Sequence, residues 1–547
     1  TSLPADGIAF GGPAVTPAFF DLRTIDFSNA FQLSWGNHST KAGVNLTSAS
    51  YQYDYRYGGA GVFQFADLDR FGQARGTFFQ AEGTEVARFA SSDLGLFIQD
   101  SWLAAPDLQL IGAIRFDASP IPKNKISFNA PWFQATGVRN DSLTTSKAGI
   151  APRIGFVWDV RDWVLRGGVG LHFAGLDPTA FGEAMQYDGS VTIRRGTGSL
   201  TSWPLAPDPS LAPTVGPALT ILNQTYRPPR ALKAEASVTR VLAGGYSFHL
   251  TATYNHTDFL LRRTDLNLVP EVGTTQEGRP VYGRLEQLGG FVAPRIGSNR
   301  RFGDFDLVSG LSPTGLSDHY ELTASLEREI NKSVSVAGSY TFSKTNDNTV
   351  GSRALDPADQ LSPFPTGVDG VDWTRGRSDF DVPHRANLTA EYRTSGKNQI
   401  LVAARYRARS GLPFTPGFRP GVDVNGDGAG NNDPVAISGL AGLSEALSAA
   451  GCSGATVGVF AARNSCREKW QQSLDLHFGV GLRIGRSGQL AMFEVDAFNV
   501  VSTATGIVDR AAVLIDRTRA VTTDGAGNVT LPLIVNSRFG TLLARRG

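Results

Sequence analysis

The sequence predicts an all-β fold, a transmembrane antiparallel barrel, and three observations carry that prediction. Apolar and polar residues alternate with a period of two along many runs, connections between runs are alternately short and long, and aromatic residues gather at the run ends. Strict alternation marks a strand with one apolar and one polar face. In Asp318–Ser410, Tyr320, Leu322, Ala324, Leu326 and Ile330 alternate with Glu321, Thr323, Ser325, Glu327 and Glu329. After Asn331-Lys332, short enough for a hairpin turn, Val334, Val336, Gly338, Tyr340 and Phe342 alternate with Ser335, Ala337, Ser339, Thr341 and Ser343. The polar face carries charge at mid-strand, and the turns are tight on one side only. A barrel of the outer-membrane type, with lipid outside and a polar lumen, produces both features; a soluble propeller, the alternative, does not explain why only every second connection is long.

The same reading runs through the chain. Ala30–Gly36 and Lys41–Asp54 form a first hairpin, followed by Leu94–Leu103 with Leu108–Asp117, Ile150–Asp159 with Val164–Phe173, and Leu232–Val241 with Tyr246–Tyr254. After the two hairpins of Asp318–Ser410, turned at Asn331-Lys332 and Ser395-Gly396-Lys397, Ser473–Ile484 turns at Arg486-Ser487-Gly488 into Leu490–Val500. About fourteen or more strands result. Long extracellular loops separate the hairpins, and a short helix is predicted within Leu440–Ala450. Trp35, Trp102 and Trp163 sit beside short turns and Tyr254, Tyr340 and Tyr406 near the opposite strand ends, as two interfacial girdles require.

Composition bounds the rest. A chain of 547 residues holds several soluble domains or one large barrel. Net charge of +1 gives no nucleic-acid footprint. No apolar run reaches the roughly 18 residues of a transmembrane helix, whereas a barrel strand needs only about 9–11. The chain opens Thr1-Ser2-Leu3 with no signal segment, so a mature form or an internal fragment is expected. Residues 1–29 read as a partial strand or loop leading in and 30–547 as the barrel portion, with no plug domain visible. Cys452 and Cys466, the only cysteines, share one loop and are expected to form a local disulfide in an oxidising compartment.

Six stretches carry a resemblance: LFIQDSW at Leu96–Trp102, APRIGF at Ala151–Phe156, LRGGVG at Leu165–Gly170, SYTFSKTNDN at Ser339–Asn348, SDFDVPHR at Ser378–Arg385 and SGLPFT at Ser410–Thr415. In this order and spacing the chain resembles the barrel portion of TonB-dependent receptors, in particular the Oar-like subfamily with a carboxypeptidase-regulatory-like amino-terminal domain. The resemblance implies a barrel of about 22 strands in the outer membrane of a Gram-negative bacterium, in contact with outer-membrane lipid. It also implies occlusion by a plug, energy from TonB–ExbB–ExbD, and an unknown extracellular substrate. The chain departs from that pattern in having no plug or TonB box before residue 30. It also ends Leu543-Ala544-Arg545-Arg546-Gly547, where the family continues to a closing aromatic; a piece of a longer protein is the expectation.

Candidate chemistry is sparse. Arg385, Arg393, Arg405, Arg407 and Arg409 fall on the luminal face of neighbouring strands, near Glu327 and Glu391, and are candidate ligand or plug contacts. Asp423, Asn425, Asp427 and Asp433, with Asn431 and Asn432, resemble a Ca²⁺ loop without the closing Glu of an EF-hand, the alternative being a solvated Asp/Asn/Gly turn. No other cofactor is expected. Arg375, Arg377, Asp379, Asp381, His384 and Arg385 form either an ion-pair network at the rim or a contact for an acidic ligand, with the structural reading preferred. His172, His249 and His477 are luminal, but no G-x-S-x-G, H-E-x-x-H or P-loop accompanies them, so no enzyme is expected. The reading is therefore substrate capture by the loops 174–229, 259–316 and 413–469 with plug gating. The alternatives are an adhesive or structural barrel without transport, and an ungated porin.

Overall fold

The computed structural model describes residues 11–12, 15–65, 68–83, 86–143, 148–199, 214–349, 375–394, 398–419, 421–430, 432–484, 489–502 and 506–545. The turns read at 395–397 and 486–488, and Asn431, lie outside them. Fourteen long strands follow one another as an antiparallel meander: β1 (Val15–Trp35), β2 (His38–Tyr57), β3 (Ala87–Ala105), β4 (Leu108–Ala118), β5 (Gly149–Val160), β6 (Trp163–Phe173) and β7 (Arg230–Leu242). They continue as β8 (Tyr246–Asp265), β9 (Val308–Asn331), β10 (Val334–Asp347), β11 (His384–Arg393), β12 (Asn398–Arg409), β13 (Gln471–Ile484) and β14 (Gln489–Ser502). Each pairs with the next in sequence, from β1–β2 to β13–β14. Among the described residues, β1 pairs only with β2 and β14 only with β13.

Register places the alternation in space. Val334, Tyr392, Val402, Phe478 and Val495 are successive Cα partners around the wall. Luminal residues form rows of their own, such as Thr341–Arg385–Arg409–Gln471. The outward residues are exposed because hydrocarbon is their solvent: Ile154 is 66% and Leu388 55% exposed. Tight girdle contacts match the expected ends. His38 stacks between Trp35 and Trp102 at ring-centroid distances of 4.3 and 5.7 Å, and Tyr254 lies 4.9 Å from Tyr320. Two of the three glycines of LRGGVG have a physical cause: a Cβ at Gly167 would meet the Phe156 ring at 2.5 Å, and one at Gly170 the Arg153 side chain at 2.6 Å. One glycine seats an outward ring and the other a luminal guanidinium stem.

Several strands are longer than their alternation suggests. β1 starts at Val15 rather than Ala30, because Arg23 and Asn29 interrupt an outward face that is otherwise Ile25, Phe27, Phe31, Leu33 and Trp35. β8 and β9 continue to Asp265 and back to Val308, beyond the two-faced segments, and pair throughout with two irregularities. There Val308 and Leu311 pack into cores built by the loops, so an apolar outer face is no longer demanded.

The long connections are not simple loops. Val281 and Val292 (266–307), Phe414, Val424 and Leu443 (410–470), and Val513, Leu531 and Phe539 (506–545) belong to one buried apolar core. The segment after β14 is thus part of a packed head, with short hairpins such as Val513–Ile515 against Leu533–Val535, and adds no stave to the wall. The helix Leu443–Ala449, in the connection between β12 and β13, adds Leu443 and Leu447 to the same core. A second core joins Phe89, Ile121, Phe181, Leu222, Tyr226 and Leu311, centred on the helix Pro178–Gln186, whose first turn is capped by Asp177.

Candidate functional site

The luminal wall of β9–β13 gathers most of the charged residues read from the sequence. Arg385 and Arg409 are direct cross-strand partners, a like-charge juxtaposition that needs neutralising. Arg385 Nη2 donates to Glu321 Oε2 at 2.5 Å, while Arg409 donates to Gln471 Oε1 at 2.6 and 2.9 Å. Arg407 reaches Asp475 Oδ2 at 2.5 Å, and Arg405 is the Cα partner of that same Asp475. Four guanidiniums therefore share one patch with two carboxylates. Arg393 and Glu391 pair with each other at 2.8 Å nearer the short turns, and Glu327 lies apart, 3.5 Å from His249. Such solvent-open pairs contribute at most about 1 kcal/mol each to stability. What they set is the sign of the field along the wall.

The rim motif divides by alternation. Arg385 enters the lumen, whereas His384 faces outward and its Nδ1 lies 2.6 Å from the Tyr340 hydroxyl. Arg377, Asp379 and Asp381 latch the disulfide loop: Arg463 meets Asp347 at 2.5 Å and Asp379 at 3.2 Å, Asn464 Nδ2 donates to Asp379 at 2.7 Å, and Arg467 pairs with Asp381. Cys452 and Cys466 are bonded within the same loop. The structural reading of this cluster is the one its geometry supports. Arg375 is exposed beside it.

The Asp423–Asp433 loop is buried, which overturns the solvated-turn reading: Asp423, Asn425, Asp427 and Asp433 are all under 5% exposed. Their oxygens are already in use. Asp423 accepts from the Gly426 and Gly428 amides at 2.6 and 2.8 Å, and Asp427 from the Ala429 amide and the Asn425 and Asn432 side chains. Asp433 accepts from the Val424 amide at 3.2 Å and from Arg279 Nη1 at 3.0 Å. Burial pushes the Asp423 carboxyl well up, and Asp427 and Asp433 add to it. Burial likewise lifts Asp427 to about 6 and Asp433 to about 7, the latter against the pull of Arg279. Among the described residues no group of three or more His, Cys, Asp and Glu is disposed to hold a metal ion. In this arrangement backbone and side-chain amides and one guanidinium supply positive charge to the three carboxylates.

Sequence reasoning missed the buried cations. Arg279 is fully buried, lies 4.6 Å from the Phe460 ring centroid, and bonds across 154 residues to Asp433. Arg300 joins Asp265 at 2.5 Å to Asp306, which also meets Arg195, and Arg263 clamps Glu183 through both guanidinium nitrogens at 2.7 and 2.8 Å. Apart from Arg300–Asp306, these pairs join residues 35, 80 and 111 positions apart, so no local spacing signals them.

With a two-faced meander, girdles at both ends and a charged lumen in place, the likeness to known proteins is direct. A family model described as Outer membrane beta barrel domain matches residues 2–505. The chain belongs to that family. This barrel's place is therefore the outer membrane. A comparison with curated proteins finds no match. Among solved structures, the outer membrane transporter YddB from Escherichia coli is similar over 94% of this chain and 53% of its own, at 10% identity and a TM-score of 0.51. The FrpB iron transporter from Neisseria meningitidis (F5-1 variant) gives 10% identity, 88% and 51% coverage and a TM-score of 0.44. The siderophore receptor PirA from Acinetobacter baumannii gives 12%, 88% and 51%, and 0.42. The first speaks for the fold alone; the other two, with scores under 0.5, add nothing to it. This outer-membrane barrel spans about half the length of these structures.

Proposed function

We propose that this chain is the barrel portion of a TonB-dependent outer-membrane transporter of the Oar-like kind. In this reading the packed head and the loop core around Pro178–Gln186 receive a substrate outside the cell. A plug domain fills the lumen, and force from TonB, supplied by ExbB and ExbD, opens a path. Binding and gating do the work, without covalent chemistry. The observation that carries the reading is the luminal wall itself, where Arg385, Arg405, Arg407 and Arg409 face Glu321 and Asp475. Charged side chains on an inner barrel face need water or protein in the bore, and either a plug or a passing solute supplies it.

Two measurements on the full-length gene product test this. In cells, the protein should cross-link to the periplasmic domain of TonB; a surface adhesin would not. In planar bilayers, the full-length protein should be closed. A steady open conductance would identify a porin instead and end the transporter reading.

A further inference from the structure

The outward face of β9–β13 is not uniformly convex. A groove of about 410 Å³ opens between Arg328 and Tyr406, floored by Gly338, Ala390 and Ala404. Register explains it: Ala390 and Ala404 are direct cross-strand partners with Val336 and Leu476 on either side, so two methyl groups stand where neighbouring rows carry larger side chains. The groove faces hydrocarbon. Its periplasmic end is formed by Arg328, four positions before the turn at Lys332-Ser333.

Arg328 is unusual on a lipid face, where a guanidinium at the midplane costs about 2–4 kcal/mol and near the interface about 0–1. Its position is therefore interfacial. The guanidinium lies 4.7 Å from the Tyr246 ring centroid, and Nη1 donates to the Tyr246 hydroxyl at 3.1 Å. The buried Nε has no hydrogen-bond partner among the described residues. Glu327, the preceding residue, turns to the opposite face and meets His249 at 3.5 Å, so it leaves the groove's own face cationic. Arg240, outward on β7, lies over Trp163 at 4.6 Å in a similar stack but is paired with Asp162 at 3.4 Å.

We propose that this groove binds one phospholipid of the periplasmic leaflet, with an acyl chain along Gly338, Ala390 and Ala404 and the phosphate on Arg328. Charge complementarity selects the occupant: an apolar channel ending in a fixed guanidinium matches a chain ending in an anionic phosphodiester. A helix or strand of another protein would not need the cation. The site stands whether or not the barrel transports anything.

The test uses the full chain purified in detergent and native mass spectrometry, with palmitoyl-oleoyl phosphatidylglycerol, the matching diacylglycerol and inorganic phosphate as probes. The intact protein should retain one phosphatidylglycerol under conditions that strip the diacylglycerol and free phosphate. Arg328→Gln should weaken retention about tenfold, and Ala404→Leu, which fills the groove, should abolish it. Ala42→Leu, on the outward face of β2, should change nothing, and all variants should keep heat-modifiable migration. Equal retention of diacylglycerol, or undiminished retention in folded Ala404→Leu, overturns the proposal; the second variant decides should Arg328→Gln fail to assemble.

Discussion

Arg279 and Asp433 meet at 3.0 Å with side chains 0% and 1% exposed, and they tie the connection between β8 and β9 to the one between β12 and β13. Arg279 also donates to the Pro434 carbonyl at 2.5 Å, so one residue closes the acidic loop from a distant segment. Breaking a buried pair from one side strands the other charge, at about 3–5 kcal/mol. Arg279→Met should therefore loosen the head while the wall still assembles. Limited proteolysis should cut within 410–470 at much lower protease concentration, while the heat-modifiable shift of the barrel is unchanged. The double replacement with Asp433→Leu should recover part of the loss, since Asp433 no longer leaves a buried charge while Glu277, 3.5 Å from Arg279, still loses its partner.

The acidic loop gives the head an acid-favouring stability. Asp427, lifted to about 6, and Asp433, lifted to about 7, both by burial first, hold protons in the folded state that the unfolded chain has released above the ordinary carboxylate range. The folded state then binds more protons between about pH 4 and 7, so stability falls as pH rises through that window. Their contribution is fully present below about pH 4 and lost above about pH 7. Glu183 acts in the opposite sense, since Arg263 and its hydrogen bonds hold it low despite burial; the measurement must therefore be local. Hydrogen exchange at the Val424, Gly426, Gly428 and Ala429 amides, corrected for intrinsic rate, should show more protection at pH 5 than at pH 8. Equal protection would remove the assignment.

The disulfide loop is held at two levels. Cys452–Cys466 closes a separation of 14 residues, and Arg463 and Arg467 dock the loop on Asp347, Asp379 and Asp381. Closing a loop of that length is worth about 3 kcal/mol in the chain-entropy account. Asp381→Ala should leave the bond intact but strand Arg467, which is largely buried. Reduction should then expose Cys466 to maleimide at least tenfold faster than in the unsubstituted protein. Identical labelling rates would show that the latch adds nothing to the bond.

The wall was legible in the sequence because lipid imposes a rule on every second residue. Tyr320, Leu322 and Leu326 alternate with Glu321, Thr323 and Glu327 for a reason that acts locally, and the strand extents failed only where that reason lapses. Arg23 and Asn29 hid half of β1, and Val308–Leu316, with Val308 and Leu311 packed into the loop cores, shows no alternation. The candidate luminal arginines followed from the same rule. The head did not. Val281, Val424 and Val513 meet by tertiary packing across hundreds of residues, and Arg279 reaches Asp433 and Pro434 across 154 and 155 residues. The Asp/Asn/Gly pattern at 423–433 was visible, but whether a cation or a distant guanidinium faces it depends on a loop 154 residues away.

The alternation rule makes the sharpest test. Val336 and Leu476 flank the opposed pair Ala390–Ala404 on the outward face, while Ser335 is the luminal partner of Glu391. A charged side chain on the lipid face costs about 2–4 kcal/mol near the midplane, and the penalty acts during assembly, when the strand must partition into the bilayer. Leu476→Arg should reduce heat-modifiable, folded protein in the outer membrane at least tenfold, and Val336→Arg, beside Arg328 near the interface, about two- to fivefold. Ser335→Arg should assemble normally, because its guanidinium projects into the bore within reach of Glu391, an attractive cross-strand pair. Since Ser335 and Val336 are adjacent, local β-propensity and turn proximity are nearly the same for both. A difference between them can only report the face each residue occupies, and equal tolerance would mean that the faces are wrongly placed.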